Sequence, residues 1–203
     1  MATTARYIAL EGTEGCGKST QAAWLAADLG AVLTREQGGT PIGRLIRGIL
    51  LDPAHHTLDH RAEALLNAAD RAQHLAEVVT PALAAGHHVV SDRSVYSTLA
   101  YQGYGRRLPL DDLRRINDWA VQGRWPDLAI LIEVDPARVA ERIKHRTLDR
   151  FERETDRFHD RVRTGFAKLA AADPDHWVVI DGDATPRTVR RRVRAAVRRR
   201  LDL

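Results

Sequence analysis

Eight residues near the start of the chain, Gly12-Thr13-Glu14-Gly15-Cys16-Gly17-Lys18-Ser19, carry the strongest signal in it. They fit the pattern G-x-x-x-x-G-K-[ST] without a mismatch. The apolar run Arg6-Tyr7-Ile8-Ala9-Leu10 precedes them and reads as a buried strand. Ser19 to Leu29 follows as a helical stretch that stops at Gly30. Strand, glycine loop and helix in that order form a phosphate site. The glycines let successive N–H groups point into one concavity, and the helix adds its positive end. Lys18 can reach the outer phosphates, and the Ser19 hydroxyl can ligate Mg²⁺. The chain is therefore expected to bind a nucleoside triphosphate.

At 203 residues the chain fits one α/β domain, and no Ser/Gly/Pro linker divides it, so 1–203 reads as a single domain. No apolar run approaches the roughly 20 residues needed to cross a bilayer. No signal-peptide core precedes the first strand, so no membrane partner and a cytoplasmic location are expected. The one cysteine, Cys16, excludes an internal disulfide and a cysteine metal cluster. The pairs His55-His56 and His87-His88 lack metal-site spacing and read as structural or surface residues.

Strand-like and helical segments alternate along the chain, which implies a parallel sheet with helices on both faces. Beside the first strand, strands are expected at Ala31–Thr34, His87–Ser91, Leu128–Val134 and Trp177–Ile180. Helices are expected at Ile42–Leu51, Thr57–Ala85, Leu110–Gln122, Pro136–Arg146 and Thr155–Ala172, with Pro81 free to kink the long second one. From Pro186 onward Val189, Val193, Val197 and Leu201 recur four apart, one apolar stripe on an arginine-rich helix. The runs Arg190-Arg191-Arg192 and Arg198-Arg199-Arg200 then read as the solvated face of a docked helix, and no nucleic-acid partner is expected.

Four further blocks follow the glycine loop in order. They are Thr34-Arg35-Glu36-Gln37-Gly38-Gly39-Thr40-Pro41-Ile42-Gly43, Ala68-Ala69-Asp70-Arg71-Ala72-Gln73-His74, Ser91-Asp92-Arg93-Ser94 continuing to Gly103, and Leu148-Asp149-Arg150-Phe151-Glu152. With the P-loop ahead of them, this set resembles the thymidylate kinases over nearly the whole chain. The resemblance implies a P-loop nucleoside-monophosphate-kinase fold: α/β, with a five-stranded parallel sheet, helices on both faces and a short mobile lid at about 142–153. It implies phosphoryl transfer from MgATP to dTMP, giving dTDP and ADP, and a homodimer with contact through the long 57–85 helix.

Roles follow position by position from the same resemblance. ATP would lie on Gly12, Thr13, Glu14, Gly15, Cys16, Gly17, Lys18, Ser19 and Thr20, with Arg142 from the lid. Ser19 and Asp92 are the candidate ligands of Mg²⁺, Asp92 ending the run Val89-Val90-Ser91-Asp92. Glu14 would meet the deoxyribose hydroxyl, and Arg47 would lie near the dTMP phosphate. Arg71 would bond the thymine carbonyl. Asn67, Thr98 and Gln102 would stand beside the base, and Tyr101 against the sugar. Arg93 would bridge donor and acceptor phosphates, with Lys18 and the lid residue Arg150 completing the catalytic set. The chemistry agrees: a loose transition state spreads charge over phosphoryl oxygens, so arginines from several segments should converge.

Four positions depart from the pattern. Gly15 stands where some members carry an arginine, which throws the catalytic role on Arg150. Cys16 replaces Ala or Ser; it is either a reactive thiol at a helix N-terminus or simply small enough. Gln37 replaces a proline. Asn67 replaces an aromatic that stacks on thymine, a contact worth roughly 1–3 kcal/mol where bases stack on protein rings. Weaker dTMP binding is the expectation. Asn67 also leaves open another pyrimidine monophosphate such as dUMP as acceptor. A regulatory nucleotide binder without turnover is the reading from a different class.

Overall fold

The computed structural model describes residues 4–145 and 147–203. Arg146, part of the expected lid and of the expected helix from Pro136, lies outside the described residues. The buried central strand β1, Tyr7–Glu11, runs into the P-loop and then into α1, Lys18–Leu29, capped at Gly30. β2, Val32–Arg35, leads to α2, Pro41–Leu51, whose N-cap Thr40 accepts from the Gly43 N–H and whose first residue is proline.

The long helix expected over 57–85 is one helical path with a wider turn inside it. α3, His60–His74, begins at Asp59, whose carboxylate accepts from the N–H groups of Arg61 and Ala62. A π turn, Leu75–Val79, joins it to α4, Thr80–Ala84. The turn sits immediately ahead of Pro81, which has no N–H to donate, and the Thr80 N–H reaches back to the Leu75 carbonyl. β3, Val89–Asp92, follows. After it, where no helix is expected from the sequence, Ser94 caps a short helix, α5, Val95–Thr98. That helix continues as π turns over Leu99–Gly105. The two glycines, Gly103 and Gly105, and the absence of a 3.6-residue apolar period hid it.

α6, Leu110–Val121, β4, Leu128–Glu133, α7, Pro136–Ile143, α8, Asp156–Ala172, β5, Trp177–Asp181, and α9, Pro186–Leu201, complete the order. Among the described residues the sheet has five strands in the order β2-β3-β1-β4-β5, every pairing parallel. Strand alternation divides the core in two. Tyr7, Val89, Ala129, Leu131 and Trp177 pack with the helices following β2 and β3 and with α8. Ile8, Leu10, Val90, Ile130 and Ile132 pack under α1 and α9.

Helix α9 docks as its stripe predicts: Val189, Val193, Ala196 and Val197 are buried. Its arginines face outward, Arg190 and Arg194 pairing with Asp28 and Arg192 with Asp181. Among the described residues no helix is long and apolar enough to cross a membrane.

The registers Leu10↔Asp92 and Arg35↔Asp92 bring β1, β3 and β2 to their carboxyl ends at one level. The chain reverses direction of growth at β1, between β3 and β4. Ligands of open parallel sheets bind at that place.

Candidate active site

A cavity of about 290 Å³ opens over those strand ends. The P-loop supplies Glu14, Gly15, Lys18 and Ser19 to it. The end of β2 supplies Arg35, Glu36 and Gln37; α2 supplies Arg47 and Leu51; α3 supplies Asn67. Asp92, Arg93, Ser97, Tyr101 and Gln102 come from β3 and the helix beyond it, and Asp149, Phe151 and Glu152 from the segment between α7 and α8.

The P-loop takes its shape from left-handed glycines: φ is 140° at Gly12 and 72° at Gly15. A Cβ on Gly12 would stand 2.7 Å from the Ile132 carbonyl oxygen and 2.9 Å from Cys16 Sγ. Cys16 is buried against that glycine, so the small-residue reading of the thiol fits its position. At Gly15 a Cβ would stand 2.9 Å from Ile143 Cγ2 and 3.3 Å from Val139 Cγ1. Helix α7 thus fills the space that a P-loop arginine would need. Arg142 of the same helix donates to the Gly15 carbonyl at 3.0 Å, which puts the expected lid arginine at the phosphate loop. Lys18 Nζ is folded back onto the Thr13 carbonyl at 3.1 Å.

Arg93 has a left-handed φ of 74° that aims its side chain across the strand ends. It donates to the Gly12 carbonyl at 3.1 Å, to Ser97 Oγ at 3.0 Å and to Glu14 Oε1 at 2.7 Å. Its guanidinium also lies 5.0 Å from the Tyr101 ring centroid. Burial works against its charge, but Tyr101 and the carboxylates Glu14, Asp92 and Glu11 outweigh it and hold its pKa above the usual value. Burial likewise pushes the Glu14 carboxyl up, and Arg93, Lys18 and the Tyr101 hydroxyl overcome it, leaving the pKa below the usual range. Tyr101 donates its hydroxyl to Glu14 at 2.7 Å.

Arg47 donates to the Gln37 carbonyl at 3.2 Å. Its pKa is lowered by burial and then by the like charges of Arg35 and Arg93. Three guanidiniums gathered around one cavity mark a place built for a polyanion. Among the described residues, Asp92 Oδ1 is buried there with no hydrogen-bond partner. An orphaned carboxylate oxygen and the Ser19 hydroxyl on one cavity wall are hard oxygen donors suited to Mg²⁺, which takes few protein ligands and completes its shell with phosphate and water. Among the described residues no cluster of three or more His, Cys, Asp or Glu could hold a metal by itself.

Other expected site residues stand back from the wall. Arg71 is buried and donates to Glu36 Oε2 at 2.8 Å, to Asn117, to the Ser94 carbonyl at 3.3 Å and to Thr98 Oγ1 at 3.2 Å. It and Thr98 lie behind Glu36 rather than on the cavity lining. Arg150 turns away from the P-loop: its Nε donates to the Leu50 carbonyl at 2.8 Å and its NH2 lies 2.7 Å from Glu63 Oε2. Arg35, Glu36, Leu51, Ser97, Asp149, Phe151 and Glu152 were not assigned from sequence. Arg35 could have been, because it ends a strand of a parallel sheet; the others became neighbours only through tertiary packing.

The two departures Gln37 and Asn67 meet. Gln37 Nε2 donates to Asn67 Oδ1, and Asn67 Nδ2 donates to the Glu63 carbonyl at 2.8 Å. An aromatic ring at 67 would first have to displace Gln37. Gln37→Ala and Asn67→Ala should each weaken binding of the ligand that this side of the cavity takes, with the double variant costing about 1 kcal/mol less than the sum. Strict additivity in that cycle would show that the amides act separately.

Beneath Arg93, Glu11 is fully buried and accepts from Ser94 Oγ and Ser97 Oγ, each at 2.7 Å. Burial raises its carboxyl from the ordinary 4.5 to about 7, the two serine hydrogen bonds opposing. A raised folded-state value means that stability is full below about pH 4.5 and is lost as pH rises through about 7. Between pH 5 and pH 8 wild type should lose on the order of 2 kcal/mol relative to Glu11→Gln, as read from denaturant unfolding. Parallel stability curves for the two proteins would contradict this.

The comparisons with known proteins agree with this geometry. A family model described as thymidylate kinase matches residues 10–193. A thymidylate kinase of Geobacter sulfurreducens is 48% identical over 189 residues, covering 87% of this chain and 89% of that protein. One of Halothermothrix orenii is 42% identical over 196 residues, covering 92% and 93%. The crystal structure of thymidylate kinase from Ehrlichia chaffeensis superposes with a TM-score of 0.80 at 30% identity, covering 96% of this chain and 98% of that one. With its P-loop, its parallel five-stranded sheet and its arginine-lined cavity, the chain belongs to the thymidylate kinase family.

Proposed function

We propose that the chain transfers the terminal phosphoryl group of MgATP to dTMP, giving dTDP and ADP. The observation that carries this is the convergence of Lys18, Arg35, Arg47, Arg93 and Glu14 on one cavity of a thymidylate-kinase chain. The P-loop N–H groups and Lys18 hold the donor phosphates. Arg47 and Arg35 hold the acceptor phosphate. Arg93, fixed by Glu14, Ser97 and the Gly12 carbonyl, stands between the two and meets the charge that develops in transfer. Ser19 and Asp92 would hold Mg²⁺, which supplies charge neutralisation at the phosphate oxygens when bound. Tyr101 and Glu14 form the sugar side, and Asn67, Gln37 and Gln102 the base side. A phosphate acceptor oxygen is already ionised near neutral pH, so no general base is assigned. Incubation with γ-labelled ATP and dTMP should give labelled dTDP; label appearing only as inorganic phosphate would refute the transfer.

The chain is also proposed to act as a homodimer. Leu45 is 73% exposed on α2, Leu65 54% on α3 and Trp119 80% on α6. These three helices are neighbours, α3 packing on both of the others, and large apolar side chains left exposed on neighbouring helices call for a partner. Trp119→Asp should sediment as a monomer while the wild type sediments as a dimer. A variant that stays dimeric would place the contact elsewhere.

A further inference from the structure

Glu63 lies in the first turn of α3 and has no exposed surface. Its carboxylate gathers groups from two other segments, the helical stretch beyond β3 and the chain around Arg150. Gln102 Nε2 donates to it at 2.7 Å. Arg106 donates through Nε at 3.2 Å and NH2 at 3.1 Å. Arg150 NH2 lies 2.7 Å away. Its backbone carbonyl accepts from Asn67 at 2.8 Å.

The carboxylate therefore stands between two walls of the cavity. Gln102 and Asn67 form part of one wall, and Arg150 belongs to the segment that supplies Asp149 and Phe151 to the other. Arg150 and Arg106 also flank Phe151, at 4.6 Å and 5.7 Å from the ring centroid. Phe151 in turn meets the Tyr101 ring edge-on at 5.8 Å. Arg106 has a second carboxylate partner, Glu154, so the buried group balances two guanidiniums against two carboxylates.

We propose that Glu63 is a positioning residue for the acceptor: it fixes the base-side wall and the root of the lid as one unit. The unit joins the acceptor pocket to the segment 149–152, while the donor phosphates are held by the P-loop, which Glu63 does not touch. Loss of the carboxylate should therefore act on dTMP and on the lid root, and spare ATP. The proposal rests on the dTMP kinase reading for its kinetic arm only.

The test is Glu63→Gln, measured for KM of each substrate, for dTMP affinity by calorimetry and for the rate of trypsin cleavage within 147–153 without nucleotide. The KM and Kd for dTMP should rise about tenfold, the scale of one lost charge-assisted hydrogen bond, with the KM for ATP within about twofold of wild type. Cleavage within 147–153 should accelerate. A rise shared equally by ATP and dTMP, or cleavage unchanged from wild type, would overturn the proposal. Should Glu63→Gln not fold, Arg106→Met leaves Glu63 paired with Arg150 and should raise the KM for dTMP about threefold at near-normal KM for ATP. An unchanged KM for dTMP in that variant overturns the proposal too. Absence of dTMP turnover in wild type would sink the kinase reading instead, and the cleavage arm would still judge Glu63.

Discussion

Arg93→Ala should lower kcat by about 10² to 10³, the scale of removing one aligned donor from a site where charge develops. ATP should still bind, because the P-loop glycines keep their left-handed backbone and Lys18 is held by the Thr13 carbonyl. The prediction follows from the geometry around Arg93. Its backbone sits in a left-handed conformation, its side chain is tied at four points, and surrounding carboxylates keep it charged. A side chain held this way loses no freedom on meeting the transition state, so its removal costs rate rather than affinity. The measurement is steady-state kinetics beside ATP titration calorimetry. Near-normal turnover in the variant would remove Arg93 from its role.

Arg71→Met should do more damage to the fold than to any single contact with substrate. Arg71 and Glu36 form an ion pair in which both side chains are 2% exposed. Glu36 is shared with His74 at 3.1 Å. Burial raises the Glu36 carboxyl, and Arg71 with His74 overcomes it, so its pKa lies below the usual range. Removing the guanidinium leaves the buried Glu36 carboxylate with His74 alone and takes the donor from Asn117 and Thr98, a loss of about 3 kcal/mol of stability. Sign follows from the pKa: the Glu36 contribution is present above the unfolded-state value and is lost as pH falls through the folded one. The variant should therefore lose much of the acid sensitivity that this pair gives the wild type. Chemical denaturation at neutral and acid pH measures both effects. A variant as stable as wild type, with only the KM for dTMP raised, would return Arg71 to direct base contact.

Those two arginines also show what the sequence made legible. Arg93 follows an apolar strand and an aspartate, and a strand's carboxyl end is a place that sequence pattern can find. The five strands and the docking of α9 were legible for the same reason: short apolar runs and a four-residue valine stripe have a period. Arg71 sits mid-helix, and nothing in the spacing says whether its face meets ligand or protein. Its partners Glu36, Asn117 and Thr98 come from three segments that only the fold brings together. Glu63 and Arg106 were invisible for that reason. The helix Val95–Thr98 and its π continuation carry no apolar period, and the glycines at 103 and 105 allow close packing there: a Cβ on Gly103 would stand 2.5 Å from Leu110 Cδ2. Arg150 was expected at the phosphates and lies on Glu63. The sequence shows an arginine at 150; where it rests depends on the carboxylates that the fold brings to it.

The most direct measurement is ADP formation from MgATP with dTMP, dUMP, UMP, CMP, AMP and GMP in turn, beside a control without acceptor. The account predicts strong turnover with dTMP, a clearly lower kcat/KM with every other monophosphate, and little ADP in the control. Equal rates with and without acceptor, or a preference for another monophosphate, would contradict it.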